Sequence, residues 1–169
     1  MKQGVILLLL MTLLLGGCGS TPTSVQSGAG GIWLAELTGG SGEASGFSFI
    51  TQFTLNGDGT LSIDSFQFLT YDANSSANCF SSINGPHVSG ELPLTVQSND
   101  AVTGLITYTV VSGGNTLTLS GNVTGTASQS GSGTNVTYTL TSATITGNWS
   151  LKGSGGCNAT GGSFSMTQS

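Results

Sequence analysis

Side chains able to do acid–base, nucleophilic or metal chemistry are sparse in this chain: three cysteines (Cys18, Cys79, Cys157), one histidine (His87) and seven carboxylates. His87 follows Pro86 in a Gly-Pro-His turn. As a general base it would need a nucleophile and an orienting acid brought to it by folding. Serine is so abundant that a serine beside His87 carries no information. No Gly-x-Ser-x-Gly elbow sits on a strand-to-helix turn, and Gly40-Ser41-Gly42 and Gly131-Ser132-Gly133 read as loops. A carboxylate pair could serve glycoside hydrolysis. Glu36 and Glu43 flank the first loop, and Asp58 and Asp64 flank the first hairpin. Asp58 is explained as a turn former, however, and Asp64 breaks the alternation of its strand and so should face water. His87 has no second histidine and no cysteine at ligand spacing, so no metal site is expected. Asn56-Gly57-Asp58-Gly59 lacks the later glutamate of a calcium loop. No motif asks for a cofactor.

The most specific signal lies at the N-terminus. Lys2 supplies a positive start, and Val5 to Leu15 is an apolar run broken only by Thr12. That is the charged region and apolar region of a secretion signal, and it falls short of the roughly 20 residues a spanning helix needs. The run ends Leu15-Gly16-Gly17-Cys18-Gly19-Ser20. This resembles the lipobox of bacterial lipoproteins: a leucine, two small residues, then cysteine. The resemblance implies that residues 1–17 are removed and that Cys18 is lipidated, carrying palmitate-type acyl chains on its thiol and new amine. Two chains already anchor a protein stably, at about 0.8 kcal/mol per buried methylene. Position 19 is Gly, where an aspartate resembles an inner-membrane retention signal. The reading is therefore an outer-membrane lipid anchor, with the domain facing periplasm or exterior.

Lipidation would leave Cys79 and Cys157 as the two spare thiols of an exported chain. In an oxidising compartment such thiols most often pair as a disulfide bond, with two free thiols as the alternative.

Charge narrows the partners. Only 5% of residues are charged, and after removal of 1–17 a single lysine, Lys152, stands against seven carboxylates. Such a surface cannot neutralise a run of phosphates, so no nucleic-acid binding is expected. Anionic headgroups gain nothing from it either, which leaves the lipid on Cys18 as the membrane attachment. Glycine (28 residues), serine and threonine are abundant, yet 37% of residues are hydrophobic, too many for a disordered chain.

Residues 18–30 have no apolar periodicity and read as the lipidated N-terminus and a flexible tether. One domain is assigned to 31–169, a size that supports a real core. Strands are expected at Ile32 to Leu37, Phe47 to Leu55, from Leu61 through Leu69, Val88 to Val96, Val102 to Val111, Thr116 to Thr124, Val136 to Ile145, Asn148 to Leu151 and Ser163 to Thr167. Asn56 to Gly59 forms the tight turn of the first hairpin. Phe47, Phe49, Thr51, Phe53 and Leu55 share one face, opposite Ile63 and Phe66 of the return strand. Trp33 and Trp149 fall within apolar strand patterns, as core residues rather than sugar-stacking platforms. No window carries a helical apolar stripe.

The fold class is therefore all-β: an antiparallel meander barrel of about eight strands, with a two-sheet sandwich as the alternative. Closing the barrel would remove edges that a charge-poor protein cannot otherwise defend. Gly31-Ile32-Trp33 at the first strand resembles the opening of lipocalin-like barrels, without the arginine that packs on that ring. The resulting functional expectation is a lipid-anchored envelope barrel. It is read as non-enzymatic, with a structural role or a role in binding an envelope partner or small apolar ligand. The alternative is an envelope hydrolase using Ser and His87 or a carboxylate pair.

Overall fold

A computed structural model describes residues 31–39, 41–42, 48–56, 58–69, 79–80, 86–132, 135–154 and 157–168. Side chains at 41–42, 132–139 and 159–161 are outside that description. So are Cys18 with its signal and tether, Phe47, Glu43 and the polar loop after Thr70.

Ten strands follow in order: β1 Ile32–Thr38, β2 Ser41–Gly42, β3 Ser48–Leu55, β4 Leu61–Phe68, β5 His87–Glu91, β6 Leu94–Val96, β7 Ala101–Ser112, β8 Asn115–Ser132, β9 Asn135–Lys152 and β10 Ala159–Gln168. All pairings are antiparallel, in the order β4-β3-β1-β10-β9-β8-β7-β5, with β2 on β10 and β6 on β7. The chain is thus an up-and-down meander whose first and last long strands meet, Trp33 opposite Gln168 and Thr38 opposite Ser163. Eight strands nearly close into a barrel. Among the described residues one seam, between β4 and β5, stays unsealed, crossed at one end by the Thr60–Glu91 bridge and by Leu92 N–H donating to Gly59 C=O at 2.7 Å.

Local chemistry explains the turns. Gly113 and Gly114 take φ of 59° and 81°, the two positive values a two-residue hairpin between twisted strands needs. In the first hairpin, Gly59 N–H donates to Asn56 C=O at 3.0 Å, and Asp58 Oδ1 accepts from Thr60 N–H and Oγ1 at 3.0 and 2.7 Å. Asp58 is a turn former, and the Thr60 hydroxyl, followed by its N–H, holds the carboxyl below its ordinary range.

Alternation decides the core. β3 buries Phe49, Thr51, Phe53 and Leu55 while Ser48, Ile50, Gln52 and Thr54 are only half-buried. Its register with β4 shifts between Gln52 and Phe53, so Asp64 is the extra residue of a β-bulge. This lets Leu61 and Ile63 on one side of the bulge, and Phe66 and Phe68 on the other, all meet the core. Asp64 is exposed, as its break in alternation implied, and accepts from Thr54 Oγ1 at 3.1 Å.

Several boundaries differ from the sequence reading. Val88 to Val96 is two strands, because Pro93 lacks the N–H a continuous ladder requires. Val136 to Ile145 and Asn148 to Leu151 are one strand: Gly147 lies opposite Gly121 and continues the ladder. Ser41-Gly42 forms the short strand β2, and Gly131 and Ser132 end β8, so neither tripeptide is wholly loop.

Candidate functional site

The barrel interior is filled by the inward residues of its own strands. Trp33 stacks on Phe53 (centroids 5.4 Å apart), Phe49 on Tyr108 (5.9 Å), and Phe68 on Phe80 (5.0 Å). Leu117, Leu119, Ile106, Ile145 and Met166 are wholly buried beside them. An eight-stranded barrel is just wide enough for side chains to fill it, and the described inward side chains form one buried cluster there. Trp33 and Trp149 both belong to this core, at 1% and 2% exposure. Trp149 lies across Gly162, where any Cβ would collide with the indole, and its Nε1 donates to Thr38 C=O at 3.2 Å.

One polar pair is sealed inside. Thr51 Oγ1 donates to Ser65 C=O at 3.0 Å, and its hydroxyl lies 2.6 Å from Tyr108 Oη. Thr51 has only one proton to give, so the phenol is the donor of the second bond. Burial pushes the Tyr108 phenol above its usual range.

Among the described residues, the side chains that could do acid–base chemistry do not converge. His87 opens β5, exposed, with Glu91 four residues on along the same strand face. At about 3.3 Å per residue, the two stand roughly 13 Å apart, far beyond hydrogen-bond reach. Glu36 is exposed on β1 and Asp58 and Asp64 are exposed around the first hairpin. Asp100, exposed at the turn before β7, is held in the left-handed region at φ 63°. Among the described residues, no group of three His, Cys, Asp or Glu is placed to hold a metal ion.

What the fold does bring together is one end of the barrel. Cys79 and Cys157 meet at disulfide spacing, Cα–Cα 5.8 Å across 78 positions of sequence. Ser112 Oγ donates to Phe80 C=O at 3.2 Å, and Asn115 Nδ2 donates to Cys79 C=O at 2.6 Å. Asn115 Oδ1 in turn accepts from Ser154 N–H at 3.2 Å. The Cys79-Phe80 segment is therefore pinned to the β7–β8 turn and the β9–β10 turn, with the Phe80 ring on Phe68 beside the seam. The count of two spare thiols in a chain read as exported suggested the pair. Nothing in sequence marked Asn115 as the residue that ties two turns to it.

The second assembled feature is a neutral wall. All seven carboxylates lie between positions 36 and 100, and residues 101–169 carry Lys152 as their only charge. Strands β7 to β10 form a contiguous half of the barrel. Cross-strand rows on its outer face read Thr103, Thr124, Thr144, Thr167 and Leu105, Asn122, Thr146, Ser165. Leu105 is the one large apolar side chain in these rows, 61% exposed. The charge distribution along the chain could have revealed this asymmetry, because it is legible before any folding is considered.

Compared with protein-family models, curated proteins and solved structures, the chain matches none.

Proposed function

We propose that the protein is a lipid-anchored cell-envelope barrel that is non-enzymatic and works through its outer surface, in a structural role or by engaging an envelope partner. The filled interior carries this reading. With Trp33, Phe49, Phe53, Phe66, Phe68, Tyr108 and Trp149 occupying the barrel, a protein partner on the outside is favoured over a small apolar ligand within. The anchor rests on the resemblance of Leu15-Gly16-Gly17-Cys18 to a lipobox, and its expected place is the outer membrane.

Geometry supports an orientation for such an anchored barrel. The chain enters β1 at Ile32, the end where β10 finishes at Gln168, while the Cys79–Cys157 staple lies at the opposite end. A 12-residue tether from residue 19 to residue 30 has a root-mean-square span of about 20 Å if flexible. The staple is then at the end of the barrel farther from the tether's attachment point. The deciding experiment is detergent-phase partitioning of the exported protein and of Cys18→Ala, together with titration by an environment-sensitive apolar dye. The expected result is detergent-phase wild type, aqueous-phase variant, and no saturable dye binding. Equal partitioning of both proteins removes the anchor, and stoichiometric dye binding removes the outer-surface reading.

A further inference from the structure

Strands β8 and β9 are each 18 residues long, well beyond their neighbours. The flanking strand β7 reaches only as far as Ala101, opposite Thr126, and β10 only as far as Gln168, just past Thr167 opposite Thr144. After a bulge between Thr126 and Ala127, the two strands continue as a two-stranded arm, Ala127 opposite Leu140 out to Ser132 opposite Asn135. Six residue pairs make this arm about 20 Å long. Among the described residues no other strand borders it, so the Asn135–Ser142 stretch of β9 presents an edge of backbone N–H and C=O groups.

An open edge is a template for another strand, and proteins usually blunt it with charge, proline or a bulge. The seam is blunted in this way: Asp64 bulges from β4, and His87 and Glu91 stand exposed on β5. The arm is not. From Ala127 to Ser142 there is no charged residue and no proline. We infer that the β9 edge of the arm pairs with the same edge of a second copy of this chain, antiparallel about a two-fold axis. Two-fold pairing of identical strands is self-complementary. It sets the two barrels at opposite ends of the joined arms, so the carboxylates confined to residues 36–100 are not driven together. A neutral edge also has no charge to desolvate. The inference rests on the fold and not on the lipid anchor.

Sedimentation velocity on the exported protein in detergent tests it, with two double variants, Thr137→Lys with Thr139→Lys and Thr137→Glu with Thr139→Glu. Like charges facing each other across paired strands oppose association. Wild type should sediment as a dimer at high concentration, each double variant as a monomer, and an equimolar mixture of the two variants as a dimer again. Emission from buried Trp33 and Trp149 reports that each variant is folded. If a pair of substitutions unfolds the barrel, the single Thr139→Lys and Thr139→Glu variants take its place. A wild type that stays monomeric, a charged variant that dimerises undiminished, or a folded mixture that fails to associate overturns the proposal. Association driven by the micelle or the acyl chains would survive both charged variants, and so counts against it.

Discussion

The phenol of Tyr108 on β7 donates a hydrogen bond to Thr51 Oγ1 on β3, 2.6 Å away and sealed from solvent inside the barrel. The two strands are not neighbours in the sheet. The bond therefore spans the interior and fixes the distance between opposite walls. Because the Thr51 hydroxyl donates its own hydrogen bond to Ser65 C=O, the two bonds form a directional chain, and each member depends on it differently.

Removing the two partners should not be equivalent. Thr51→Val leaves a buried phenol without an acceptor and should cost about 1–3 kcal/mol, whereas Tyr108→Phe removes the donor cleanly and should cost about 0.5–1.5 kcal/mol. The double variant should be less destabilised than the sum of the singles. Urea melts of the four proteins measure this; equal costs that simply add would show that the bond contributes nothing.

The same phenol predicts a pH dependence. Its folded pKa lies above the ordinary 10.0 of the unfolded chain, because burial disfavours the phenolate. Above pH 10 the unfolded state holds fewer protons than the folded one, so stability falls as pH rises. Below pH 10 the contribution is fully present. Between that point and the raised folded value, each pH unit removes about 1.4 kcal/mol. Tyr108→Phe should flatten the alkaline decline relative to wild type, read from melting temperatures across pH 9 to about 11. Parallel curves would assign the decline to other groups.

Phe49 contacts Phe66, Phe68 and Tyr108 and is wholly buried, so Phe49→Ala should cost about 3–5 kcal/mol. A domain holds only about 5–15 kcal/mol, and this variant should sit near unfolding. Thr54, on the opposite face with Asp64 as its partner, should cost well under half as much when changed to Ala. Denaturant melts compare them directly.

Gly162 is required because the Trp149 indole occupies the space of its missing side chain. Gly162→Ala should displace the ring, break the Nε1 bond to Thr38 C=O, and red-shift tryptophan emission while lowering stability. An unchanged spectrum with wild-type stability would mean that the strand relaxes at no cost.

Denatured, unreduced protein should show no free thiol at Cys79 or Cys157. Cys79→Ser should lower stability by up to about 4.5 kcal/mol, the loop-closure value for a span of this length. Mass spectrometry after alkylation and urea melts check the two halves of this prediction.

Local pattern made part of this protein readable from its sequence. Alternation placed Phe49, Thr51, Phe53 and Leu55 on one face, because successive strand residues point to opposite sides whatever the strand pairs with. Asn56 to Gly59 was readable as a turn, since Asp58 and glycine satisfy it within four residues. The all-β meander followed from a succession of such units. Long-range geometry decided the rest. The pairing of β1 with β10, the unsealed seam, the meeting of Tyr108 with Thr51 and the tie of Asn115 to Cys79 depend on closure of the whole sheet, and no short window encodes it. The length of β8 and β9 was hidden for a related reason. Gly125 and Gly147 lie just outside the strands that alternation marks, but two neighbours held in register carry the ladder through them, and only the assembled sheet supplies those neighbours.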